Sequence, residues 1–412
     1  MTRENTGTDR QAAVIRIPQE IWVLVCAAFI IAVGFGLIAP ILPQFARSFG
    51  VSMAAAGMVV SVFAASRLFF APVSGRLVDL IGSRRVYLTG LLTVAVTTGL
   101  IAFAREYWHI VALRALGGIG STMFTVSAMG LIVRISPPEI RGRASSVYAT
   151  AFLTGSIVGP VIGAGLSVLG MRTPFLIYGA ALFLASFIVW WKLSAATVYG
   201  YDHDTSAPPM RFSEAIRDSA YRSALIGGFA NGWANLGVRI ALLPLFAAAA
   251  FHTGGAVAGI ALAAFAVGNA CALQVSGRFA DRIGRKPLIV TGLVVNGLFT
   301  AAIGLTSLPW TLLAVSVGAG AGAGLFLPSQ QATLADIIGN HRSGGRVLAN
   351  FQMAQDLGAI AGPVIVGALA DAFGYRAAFA ACGAVSLLAA CAWLLGRETL
   401  DTRRTVTPVP TR

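Results

Sequence analysis

One loop sequence occurs twice in this chain. Val73-Ser74-Gly75-Arg76-Leu77-Val78-Asp79-Leu80-Ile81-Gly82-Ser83-Arg84-Arg85 returns as Val275-Ser276-Gly277-Arg278-Phe279-Ala280-Asp281-Arg282-Ile283-Gly284-Arg285-Lys286. Gly75 and Gly277 lie 202 positions apart, about half of the 412 residues, and each copy sits between two long apolar stretches. A repeat of this length and setting predicts two structurally equivalent halves around a membrane-embedded centre.

Apolar runs of roughly 20 residues recur along the chain, each long enough to cross a hydrocarbon core. They fall near 21–44, 53–74, 86–104, 109–133, 145–168, 174–194, 223–249, 256–276, 288–307, 309–335, 347–370 and 377–396. With 57% hydrophobic and 11% charged residues, the chain reads as an all-α membrane protein of twelve spans. The first run is too long for a signal sequence, so the polar tail before it is expected to be retained.

The net charge of +14 invites a nucleic-acid reading, which the placement of the charges opposes. With the N-terminus inside, the inner segments hold 23 Lys and Arg, while the outer loops hold Arg47, Arg105, Arg172 and Arg376. This asymmetry predicts both termini in the cytoplasm. Cys26, Cys271, Cys382 and Cys391 lie in apolar runs without a CxxC pair, and the four histidines are scattered. Neither a metal site nor a cofactor is expected, and without a P-loop no direct use of ATP.

The polar stretch 195–222 divides the spans six and six. The expected layout is a cytoplasmic tail 1–20, a bundle 21–194, a central cytoplasmic loop 195–222, a second bundle 223–396 and a cytoplasmic tail 397–412. Arg211–Tyr221 suits either an amphipathic surface helix or a solvated charged face. Three further anchors repeat at nearly the same offset. Gly155-x3-Gly159-Pro160-Val161-Ile162 matches Gly358-x3-Gly362-Pro363-Val364-Ile365, Gly142-Arg143 matches Gly345-Arg346, and Leu42-Pro43-Gln44-Phe45 echoes Leu243-Pro244-Leu245-Phe246.

The paired loops, the six-plus-six layout and the glycine–proline helices together resemble the major facilitator superfamily over essentially the whole chain. The second loop fits that family's Gly-x3-Asp-Arg-x-Gly-Arg-Arg/Lys pattern through Gly277, Asp281, Arg282, Gly284, Arg285 and Lys286. The first keeps Gly75, Asp79, Gly82 and Arg84 but carries Leu80 and Ser83 where the family has other residues. The resemblance implies that these loops latch the outward-open state from the inner side; simple topological anchoring would also explain the charges. Gly155-x3-Gly159-Pro160-x2-Gly163 is similar to the signature of the drug:proton antiporter branch. Its glycines share one helix face and Pro160 kinks the helix, which suits an interface that slides and seals between halves. In the second half Gly358, Gly362 and Pro363 persist, but Val366 stands where the third glycine would fall. Arg114-x2-Gly117-Gly118-x-Gly120 resembles a family pattern with Gly117 in place of glutamine, which implies a role for Arg114 near proton transfer.

Charges at mid-bilayer are costly and mark function. Asp356 is the one carboxylate well inside a run, at the same expected depth as Arg67. A pair between them across the halves, weakened when Asp356 takes a proton, would couple protons to rocking; a purely structural ion pair is equally compatible. Asn231, Asn235 and Arg239 are spaced four apart on one helix face that would point into a central cavity if span seven lines it, as the resemblance implies. Thr122, Gln331 and Gln352 could add polar contacts there, and Phe35 and Trp233 apolar ones. The absence of an acid from spans one, four and seven tilts the expectation towards neutral or anionic amphipathic substrates.

The sequence therefore predicts a bacterial cytoplasmic-membrane transporter that exports small organic molecules by proton antiport with alternating access. Its expected partners are a small-molecule substrate, protons and the lipid bilayer, with no nucleic acid, and it is expected to act as a monomer without catalytic activity. An uptake symporter on the same fold and a transport-inactive receptor or scaffold are the alternatives.

Overall fold

The computed structural model describes residues 18–135, 141–166, 169–193, 210, 212–251, 255–338 and 345–400. Both tails and most of the central loop lie outside the described residues, as do the side chains of Asp79, Asp281 and Arg282. Among the described residues every regular element is helical. The spans are Gln19–Ile38 (one), Met53–Ile81 (two), Ser83–Ile101 (three), Tyr107–Ile135 (four), Arg141–Leu166 (five) and Thr173–Lys192 (six). The second six are Ser219–Phe251 (seven), Gly255–Ile283 (eight), Arg285–Ile303 (nine), Pro309–Ile338 (ten), and 345–373 and 375–395 (eleven and twelve). Spans eleven and twelve are separated by Gly374, whose φ of 78° breaks the helix.

The sequence repeat is also a repeat of contacts, which establishes two equivalent bundles. A Cβ on Gly90 would stand 2.6 Å from the Gly120 carbonyl oxygen, and one on Gly292 would stand 2.7 Å from that of Gly322. Ser74 Oγ donates to the Thr122 carbonyl (3.5 Å), and Ser276 Oγ to that of Leu325 (2.8 Å). Gly82 (φ 87°) and Gly284 (φ 114°) make the two loop turns in the left-handed region, where a side chain would be strained.

Burial follows what a bilayer demands. Trp22, Trp190 and Trp191 are exposed at the end carrying the chain termini, and Trp108 and Trp310 at the far end. They form the two aromatic girdles of a membrane protein. Inside, one apolar cluster fills the first bundle and two fill the second. They interpenetrate: Leu245 joins the first bundle's core, and Ala39 and Val60 join the second's.

The bundles are fastened near the far end. A Cβ on Gly57 of span two would stand 2.6 Å from the Pro363 carbonyl oxygen of span eleven, and one on Gly259 of span eight would stand 2.6 Å from that of Pro160 in span five. Both pairs sit at equivalent places in the repeat, and only a bare Cα permits such an approach. Beside the first of them, the Met53 and Ala54 N–H groups each donate to the Asp371 carboxylate at 3.0 Å. Asp371 thus caps span two from the other bundle, where unpaired N–H groups and the helix dipole favour an anion.

The glycine–proline ridges behave differently from the expectation. Gly155, Gly159 and Gly163 face Phe29, Val33 and Leu37 of span one, while Gly358 and Gly362 face span seven at Phe229 and Trp233. These glycine faces therefore pack inside each half, and the crossing contacts come from other positions of the same helices, Pro160 and Ala164 on span five and Pro363 and Gly367 on span eleven. The reason is geometric, since one ridge cannot serve both neighbours and the opposite side of each helix meets the other half.

At the terminal end the basic loop residues also act within their halves. Arg84 Nη2 donates to the Trp190 carbonyl and Lys286 Nζ to that of Leu394, both at 2.8 Å, capping the ends of spans six and twelve. Arg285 pairs with Asp336 (3.3 Å). In the second half a clamp covers the loop. Glu398 accepts from the N–H groups of Arg285, Lys286, Thr399 and Leu400 at 2.9–3.0 Å, and Arg397 grips Asp218 through two nitrogens. Partial burial works to raise the Glu398 carboxyl, but these backbone donors outweigh it and hold the group below its ordinary value.

Gly57→Val or Gly259→Val should force the far end apart, raising several-fold the labelling of a cysteine placed at Ala54 by a membrane-impermeant maleimide. Gly75→Ala, with no atom within 4 Å of the new Cβ, should leave it unchanged. A lowered Glu398 value stabilises the fold above the unfolded glutamate pKa of about 4.3, and this is lost as pH falls through the folded value. Glu398→Gln should therefore lower the melting temperature at pH 7, and its deficit should shrink below about pH 4.3.

Candidate functional site

Spans two and eleven run antiparallel across the joint, closest at Gly57 and Pro363. Arg67 lies 14 residues from the start of span two and Asp356 lies 15 residues before Asp371, so both sit about 21–23 Å from the far end at roughly 1.5 Å per residue. They feel each other's charge across the interface. No direct ion pair joins them. Asp356 Oδ1 instead accepts from Gln352 Nε2 of its own helix at 3.1 Å. Gln352 and Gln331 are exposed, and Phe35 is half-buried beside Phe63 with ring centroids 6.5 Å apart. Thr122 is committed elsewhere, donating to the Arg67 carbonyl at 3.1 Å and so tying span four to span two.

The stripe on span seven corrects the expectation made for it. Asn231, Asn235 and Arg239 are buried and hydrogen-bonded within the second bundle rather than turned to a cavity between the halves, with Arg239 Nη1 alone left without a hydrogen-bond partner. Asn235 Oδ1 accepts from Arg239 Nε (3.4 Å) and Nη2 (3.3 Å) and from Asn296 Nδ2 (3.2 Å). Arg239 Nη2 also donates to Thr300 Oγ1 (3.1 Å), Asn235 Nδ2 to Asn231 Oδ1 (3.0 Å), and Asn296 Nδ2 to the Ala319 carbonyl (2.8 Å). The partners lie on spans nine and ten, which turns the stripe inward. Trp233 is buried as well, against Gly358 and Gly362.

Two features were not read from the sequence. Gly232–Val238 forms a π-helical turn in span seven, a widened turn often found at functional places. It lets span eleven approach so closely that a Cβ on Gly232 would stand 1.8 Å from the Gln355 carbonyl oxygen. Periodicity carries no signal for it. The second feature was visible as a repeat: Phe63 and Phe265 also lie 202 positions apart. Each ring carries a buried guanidinium centred 3.9 Å from its centroid, Arg114 over Phe63 and Arg239 over Phe265. The two arginines come from different spans, four and seven, so the aromatic is repeated while the source of the cation is not. Cation–π attraction of this kind is worth up to about 2 kcal/mol when desolvated.

Asn296→Ala removes donors to Asn235 and to a backbone carbonyl, and should destabilise the second bundle by about 1–3 kcal/mol. Asn231→Ala removes a single acceptor and should cost less. Melting temperatures in detergent would rank the two.

Comparison with known proteins places these features in context. The family model described as Major Facilitator Superfamily matches residues 24–237 and 224–410. The chain is 26% identical over 362 residues to the multi-drug resistance efflux pump PmrA of Streptococcus pneumoniae, covering 85% of this chain and 89% of that one. It is 26% identical over 375 residues to the multidrug resistance protein MdtG of Salmonella typhi, covering 87% and 90%. A solved structure of a bacterial homolog to the human lysosomal transporter Spinster, in an inward-facing and unoccupied conformation, superposes with a TM-score of 0.76 at 18% identity, covering 93% and 97%.

Proposed function

The chain belongs to the major facilitator superfamily, and on that footing we propose that it exports small organic molecules from the bacterial cytoplasm by proton antiport. One observation carries this reading: two equivalent bundles are fastened at one end, and a lone mid-depth carboxylate, Asp356, faces Arg67 where the spans part. Rocking about such a joint would expose the centre to alternate sides. The 23-to-4 division of basic residues puts the tails and 195–222 in the cytoplasm. In that orientation the end where the halves are fastened is external, which supports an inward-facing state. The naming of PmrA as an efflux pump and of MdtG as a multidrug resistance protein supports export over uptake.

Asp356 is the proton-carrying group in this proposal. With its proton, it loses its attraction to Arg67 and frees spans two and eleven to move; without it, the attraction returns. Arg114 acts in the first bundle as a nearby fixed charge. The protein works as a monomer, each chain holding a complete cavity.

Overexpression in an efflux-deficient host, followed by a screen of toxic compounds, should raise tolerance to some of them. A protonophore should abolish the gain, and Asp356→Asn should lose proton-driven export while keeping its place in the membrane. Tolerance that survives collapse of the proton gradient would defeat the antiport reading, and accumulation in place of extrusion would reverse its direction.

A further inference from the structure

The cations buried at membrane depth do not balance. Arg67 has the Asp356 carboxylate within electrostatic range across the interface, without a direct ion pair. Arg239 gives Nε and Nη2 to Asn235 and Thr300, and only its Nη1 goes without a partner. Arg114 has neither kind of partner. Its side chain is 6% exposed and its Nε is buried without a hydrogen-bond partner. Among the described residues no acceptor hydrogen-bonds the guanidinium, which lies over the Phe63 ring with the Tyr178 phenol in electrostatic range. The sequence supplies no counter-ion nearby, since between Ile21 and Pro138 the acids are Asp79 and Glu106, both at helix ends. Arg67 lies within electrostatic range of Arg114 and adds to the positive potential there.

A guanidinium held out of water with no acceptor is strongly disfavoured, and its donors form a planar fork suited to a carboxylate. The half-buried ring of Phe35 lies next to Phe63, so an apolar surface adjoins the cation. We propose that Arg114 seats the anionic group of the substrate, and that the transported class is amphipathic organic anions whose carboxylate meets Arg114 while an aromatic or aliphatic body lies along Phe35 and Phe63. The proposal rests on the export reading but narrows it. Asp356 remains free for the proton, because the anion pairs with a cation that Asp356 does not neutralise.

The test uses purified full-length protein in proteoliposomes and three aromatic ligands of one shape: 2-naphthoate, its neutral amide and the cationic 2-naphthylmethylamine. Equilibrium binding should favour the carboxylate over the amide by at least about tenfold, with the amine weakest. Arg114→Gln should remove that preference while leaving amide binding within about twofold, and Arg114→Lys should restore part of it. Equal or tighter binding of the amide or amine to the unaltered protein overturns the proposal without any variant having to fold. So does an Arg114→Gln protein that keeps the carboxylate preference. Protonophore-sensitive export of cationic compounds alone would also overturn it while leaving the export function standing.

Discussion

The joint between the halves rests on two backbone carbonyls, those of Pro160 and Pro363, each covered by a glycine of the opposite bundle. Nothing larger than hydrogen fits on the covering Cα, so at these two points the approach is set by sterics, with the Asp371 bonds added beside one of them. Cα–H···O contacts of this kind are individually weak, so the joint is held lightly at these two points. The glycine ridges on the other side of the same helices do the permanent work. They bind span five to span one and span eleven to span seven, with carbonyl oxygens of the neighbouring span pressed against the bare Cα atoms. Each proline helix thus belongs firmly to its own bundle and lightly to the other.

The buried cations follow from the same division of labour. Within the second bundle Arg239 is tied into an asparagine–threonine network and lies over an aromatic face, which together stand in for water around its charge. In the first bundle Arg114 keeps the aromatic face but lacks the network. Between the two bundles, Arg67 and Asp356 oppose one another without touching. A protein that holds three arginines at membrane depth in three different ways separates structural from responsive charge by the partners it grants them.

Much of this was legible in the residues. Apolar run length fixed the number of spans, and the 202-residue repeat predicted the equivalence of contacts such as Gly90 with Gly120 and Gly292 with Gly322. The spacing of Asn231, Asn235 and Arg239 correctly placed them on one face, but periodicity cannot say whether that face looks inward to its own bundle or outward to the joint. The same ambiguity misdirected the glycine ridges. The joint glycines, Gly57 and Gly259, follow alanines at matched positions and were available to a search for repeats. The π-turn at Gly232–Val238 leaves no mark in composition. Asp371 was hidden because a carboxylate at a span end looks like any loop acid until its partner across the joint is known.

Asp371 has no counterpart in the repeat, since the equivalent place near Leu169 is apolar. The two sides of the joint are therefore unequal in strength. On the side of spans two and eleven, two N–H···O bonds have to rupture before the surfaces part; on the side of spans five and eight, the glycine–proline seam carries no such carboxylate. Any separation of the halves at this end would then start along spans five and eight and swing on the tethered edge like a door on one hinge.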